Sequence, residues 1–154
     1  MTNYVNKARE LFDKGFNCSQ SVLGAFAEDF GIPLETSLCI ASGFGGGISR
    51  KGEVCGAVSG AVMAIGLASG SSDPQDKEAK EHTYILVQQF TGAFRDKHTH
   101  VRCPDLLGMD IGNPEALQQV RQQNLFETIC PGLVEDAARI VAAVIAEDEI
   151  SGEW

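Results

Sequence analysis

Five cysteines, Cys18, Cys39, Cys55, Cys103 and Cys130, are the residues in this chain best suited to chemistry. Thiols can exchange with disulfides, bind zinc as thiolates, or hold an iron–sulfur cluster. The spacing rules out the compact versions of each. There is no C-x-x-C, so a thioredoxin-like motif is absent, and there is no C-x-x-C-H for attaching a c-type haem. Ferredoxin and zinc-ribbon spacings are absent as well. A cysteine site here must be assembled by the fold from distant positions. For any single cysteine the plain alternative is burial as a small apolar side chain.

Other candidate motifs fail on context. The stretch Gly43-Phe44-Gly45-Gly46-Gly47 lacks the Gly-Lys-Ser/Thr ending of a phosphate-binding loop and follows no strand pattern. Ser59 lies in G-A-V-S-G-A rather than in a nucleophile elbow. No pair of carboxylates stands out for general acid–base work, and Glu147-Asp148-Glu149 belongs to an acidic tail. His98 and His100 precede Cys103 and could join or replace a metal ligand, although an exposed helix end is the simpler account of them. His82 is expected on a solvated helix face.

The elements that must position the cysteines read as helices throughout. Val5, Ala8, Leu11 and Phe12 form one apolar stripe, ending near Gly15. A second helix should start at Asn17-Cys18 and stop at Gly31. A short segment, 34–41, leads into the glycine-rich loop. A fourth helix is expected over about 54–68, where Gly56, Gly60 and Gly66 are poor helix formers that make sense if other backbones approach closely. A long helix follows Asp73-Pro74, with Thr83, Leu86, Val87, Phe90 and Phe94 on its core face. Cys103-Pro104, Pro114 and Pro131 open the remaining helices, and the tail 147–154 is expected to fray. No alternating strand and no repeat is present, so the expected fold is an all-α, multi-helix bundle in a single domain, 1–154.

On this layout Cys18, Cys55, Cys103 and Cys130 fall at or near helix starts, and Cys39 falls inside a segment. Helix N-termini carry partial positive charge and unpaired N–H groups, which stabilise thiolates and anionic metal–thiolate clusters. Arg50, Lys51 and Arg102 flank Cys55 and Cys103 and would offset thiolate charge.

The chain carries 12 Lys+Arg against 21 Asp+Glu in 154 residues, a net charge of −9. That balance argues against nucleic acid and against anionic membranes as partners. The start of the chain shows no basic region followed by an apolar one, so a cytoplasmic location is the expectation. An odd cysteine count in that setting does not suit a secreted disulfide framework. The uncharged stretch 54–72 is rich in Gly, Ala and Ser and fits a buried helix better than a membrane span.

The glycine-rich loop together with Cys55-Gly56-Ala57-Val58-Ser59-Gly60 resembles the C_GCAxxG_C_C family of redox-active proteins. The hallmark is a C-G-A-x-x-G motif with one cysteine before it and two after, which correspond to Cys18, Cys55, Cys103 and Cys130. The neighbouring Asn17-Cys18-Ser19-Gln20 and Cys103-Pro104-Asp105-Leu106-Leu107-Gly108 agree, and the resemblance runs from about 7 to 143. Cys39 has no counterpart. A similar module is joined to a haem domain in split-Soret cytochromes, where it is associated with an iron–sulfur cluster; any haem partner of this chain would be a separate protein.

The resemblance implies a four-cysteine [2Fe–2S] site for electron transfer, with Gly46, Gly47 and Gly56 giving backbone support to the cofactor. A metal-free dithiol protein is the alternative, with Cys18–Cys55 and Cys103–Cys130 as the expected pairs. A zinc site, or a structural module that only packs against a partner, completes the set. A redox protein is the expected partner, and a homodimer is compatible with all of these readings.

Overall fold

The computed structural model describes residues 2–151. The chain forms helices α1 (Thr2–Asp13), α2 (Cys18–Ala27) and α3 (Leu34–Ala41), then a single turn α4 (Gly45–Ile48), then α5 (Gly56–Ser69) and α6 (Lys77–His98). The short α7 (Cys103–Leu107), α8 (Pro114–Gln122) and α9 (Leu125–Thr128) lead into α10 (Cys130–Ser151). Among the described residues there is no strand, only one isolated antiparallel bridge between Val54 and Arg102. The all-α expectation holds. No helix among those residues is long and apolar enough to cross a membrane.

The core forms where α2, α5, α6 and α10 bring their apolar faces together. Phe26, Ile65, Phe90, Phe94, Val134 and Val141 are fully buried there. Full burial of such side chains contributes roughly 1.5–3 kcal/mol each. α2 and α5 pack most closely, and two glycines permit it. A Cβ on Gly60 would stand 2.7 Å from the Ser19 carbonyl oxygen, and one on Gly56 would stand 3.0 Å from the Ser19 nitrogen. Gly66 differs from that expectation: nothing lies within 4 Å of the same position.

A second, smaller apolar cluster holds Cys103, Leu107, Ile111, Val120 and Cys130, with Leu117, Phe126 and Ile129 against it. It is built by α7, α8, α9 and the start of α10. The seam between the two clusters is where the cysteines lie.

Three expectations are corrected. α5 starts at Gly56 rather than 54, because Val54 is held in the bridge. α10 continues through Ser151, so the tail is helical over 147–151, and 152–154 lie outside the described residues. His82 is not solvated: it is mostly buried and pairs with Asp148 at 2.9 Å, tying α6 to that same end of α10.

Candidate functional site

Cys18 is the first residue of α2, and its position is set by a capping box. The Asn17 side chain accepts from the Gln20 backbone N–H (2.9 Å), and the Gln20 side chain accepts from the Asn17 N–H (3.0 Å). The Asn17 amide then donates to the Ser42 carbonyl, and that of Gln20 to the Leu38 carbonyl, each at 3.0 Å. The helix start is thus fastened to α3 and the glycine loop. A cap of this kind is worth about 1 kcal/mol in isolation.

Cys55 is the N-cap of α5, and Cys103 begins α7. The two are set side by side by the bridge between 54 and 102. The Cys55 N–H donates to the Val101 carbonyl (2.8 Å), and the Cys103 N–H donates to the Glu53 carbonyl (2.9 Å). Arg102 donates from its guanidinium to the Gly52 carbonyl (2.8 Å), and the Glu53 N–H donates to the Gly47 carbonyl (2.9 Å). The bridge was not legible in the residue pattern, since one residue pair has no periodicity to detect.

The glycine-rich loop is a left-handed turn. Gly46, Gly47, Ile48, Ser49 and Arg50 all have φ between 52 and 70°. Such a run costs roughly 1–2 kcal/mol for each non-glycine residue, so surrounding contacts must hold it. A Cβ on Gly47 would fall 2.7 Å from the Cys103 Cβ and 2.8 Å from the Glu53 oxygen. One on Gly56 would fall 3.1 Å from the Cys18 Cβ. These two glycines are therefore the floor on which Cys103 and Cys18 rest. Gly46 faces Arg50 and Ile111 instead.

Cys18, Cys55, Cys103 and Cys130 all line one cleft of about 560 Å³. Its apolar wall includes Phe12, Leu106, Ile111, Phe126 and Leu133. Cys39 is exposed on α3 and does not line it. His98 is turned away from the cysteines: its Nε2 meets Asp136 at 3.0 Å, and its ring lies on Phe94. His100 is exposed and does not line the cleft either.

The four thiols sense one another. Cys18 is pushed well above the ordinary thiol range by its hydrogen bond with Cys130, by burial and by the charges of the other three. Cys130 is lowered by that same hydrogen bond, against burial and Glu127. Burial pushes Cys55 up to about 11, although the Ala57 and Val58 N–H groups at the start of α5 pull it down. Burial also pushes Cys103 up to about 12, helped by Cys55, Cys130 and Asp110. The expectation of helix-start thiolates is thereby corrected at three positions. The helix N–H groups act as expected at Cys55, but desolvation is larger. The Cys18 and Cys130 thiols are near enough to shift one another, and the bridge joins the backbones of Cys55 and Cys103.

Residues 16–144 match the family described as "Putative redox-active protein (C_GCAxxG_C_C)". The chain belongs to the C_GCAxxG_C_C family. All four cleft cysteines of this C_GCAxxG_C_C chain fall within the matched residues. An uncharacterized protein of Archaeoglobus fulgidus is 41% identical over 59 residues, which is 38% of this chain and 39% of that protein. No solved structure matches the chain.

The donor set fits a group that wants soft ligands: four thiols line the cleft, and among the described residues no histidine or carboxylate does. Among the described residues no three ligand side chains are gathered tightly enough to hold a single metal ion as they stand.

Proposed function

We propose that this redox-active protein transfers electrons through a [2Fe–2S] centre held by Cys18, Cys55, Cys103 and Cys130. The observation that carries the reading is the sorting of the cysteines: four distant ones line one cleft, and the fifth is on the outside. Four thiolates satisfy the ligand count of such a cluster. When bound, the cluster would supply one-electron transfer, at a potential set by burial, charge and N–H···S hydrogen bonds.

The chain's own residues contribute three things. Gly47 and Gly56 let Cys103 and Cys18 sit against backbone. The Ala57 and Val58 N–H groups reach the Cys55 sulfur and would stabilise its thiolate form. The apolar wall limits water.

A metal-free dithiol is the second reading, and the Cys18–Cys130 hydrogen bond favours it. Iron and acid-labile sulfide analysis of protein purified without oxygen separates the readings. About two of each per chain is the expected result. Zinc without sulfide, or neither metal nor sulfide, would overturn the cluster.

A further inference from the structure

The cleft is larger than a cluster requires. A four-atom iron–sulfide core takes the space of about four waters, roughly 120 Å³ at about 30 Å³ each. The cavity holds about 560 Å³, the size of a small-molecule site. Its charge is also out of keeping with the rest of the chain. Among the described residues no carboxylate lines it, whereas Arg50 and Arg121 both do.

Among the described residues, neither arginine makes an ion pair; the paired cations are Arg9, Lys97, Arg139 and two histidines. Asp110, which lines a neighbouring cavity with Arg50, is felt at Cys103, and Glu127 is felt at Cys130. Arg50 ends the left-handed turn, where a Cβ on Gly112 would fall 2.8 Å from its carbonyl oxygen, so its backbone is closely held. Arg121 is on α8, beyond Phe126 of α9, and both line the same cleft.

We infer that this cleft binds a small organic anion, a carboxylate, sulfonate or phosphate with an apolar body, its charge on Arg50 and Arg121 and its body against Phe12, Leu106 and Phe126 beside the thiols. Unpaired guanidiniums at the edge of an apolar cavity are matched to such a ligand in both charge and planar hydrogen bonding. The inference deepens the redox reading, since it gives the cysteine centre a bound small molecule as its neighbour.

Two fluorescent probes of nearly the same shape test it on the full chain: 8-anilinonaphthalene-1-sulfonate and its uncharged counterpart N-phenyl-1-naphthylamine. The anion should bind about tenfold tighter or more, and should slow the reaction of Cys130 with iodoacetamide in reduced, metal-free protein. Arg50→Gln and Arg121→Gln should each weaken the anion about fivefold and leave the uncharged probe within about twofold, in line with a lost charge-assisted contact. Arg95→Gln, an exposed arginine outside the cleft, should change neither. Equal affinity for the two probes, an equal effect of Arg95→Gln, or unprotected Cys130 would each overturn the inference. Iron and sulfide are counted, and probe affinities measured, on the anaerobically purified chain before metal is removed for the iodoacetamide arm. Lost anion selectivity with iron retained defeats this inference alone, and intact selectivity without iron defeats the cluster alone.

Discussion

Two N–H groups point at the Cys55 sulfur, yet its thiol stands at about 11 because burial outweighs them. That balance makes a prediction for the reduced, metal-free chain. At pH 8 a thiol with a pKa near 11 is ionised to about one part in a thousand. Iodoacetamide should therefore label exposed Cys39 first and Cys130 next. Cys55 and Cys103 should react quickly only as the pH approaches 11 and 12. Peptide mass spectrometry over time reads the order, and Cys103 labelled as fast as Cys39 would contradict it. The glycines make a second prediction. Gly47→Ala forces a Cβ against Cys103 and Glu53 at a φ of 70°, so it should cost roughly 2–5 kcal/mol. Gly66→Ala fills open space within α5 and should gain about 0.5–1 kcal/mol. Thermal melts should move in opposite directions, down for the first and up for the second.

α6 and α10 are joined by a polar clamp at Asp136, which accepts from Lys97 (2.8 Å) and Arg139 (2.6 Å) and meets His98 (3.0 Å). Burial pushes the Asp136 carboxyl up, but the Lys97 and His98 contacts outweigh it, and the net shift is downward. A carboxyl lowered on folding adds stability above its unfolded pKa, about 3.9, and loses it as the pH falls through the folded value. Asp136→Asn should therefore lower the melting temperature at pH 7 by a few degrees, with the gap to the parent closing below about pH 4. A gap that persists at pH 2 would show that the clamp acts through packing instead. At this scale the helices were largely legible in the sequence. Their apolar stripes repeat every turn, and Asn17, Pro104 and Pro114 mark real starts. The 54–102 bridge, the left-handed turn and the Cys18–Cys130 hydrogen bond were not. Each depends on contacts between distant segments, which leave no local period.

The whole molecule places a thiol-lined cleft edged by Arg50 and Arg121 in a chain of net charge −9, at the seam between a large core and a small one. The membership of the cleft was legible because four cysteines mark helix starts and Cys39 does not. The place of Arg121 was not, because α8 is brought to the cleft by Leu117 and Val120 packing into the small core with Cys103 and Cys130, and contacts between distant segments leave no local period. The central claim is that the four cleft cysteines act as one redox centre and Cys39 stands outside it. Iron and acid-labile sulfide per chain, measured anaerobically in the five single Cys→Ser variants, tests that claim most directly. Content like the parent's is expected in Cys39→Ser, with most iron and sulfide lost in each of Cys18→Ser, Cys55→Ser, Cys103→Ser and Cys130→Ser. A loss in Cys39→Ser as large as in Cys55→Ser, or five variants indistinguishable from the parent, would contradict it.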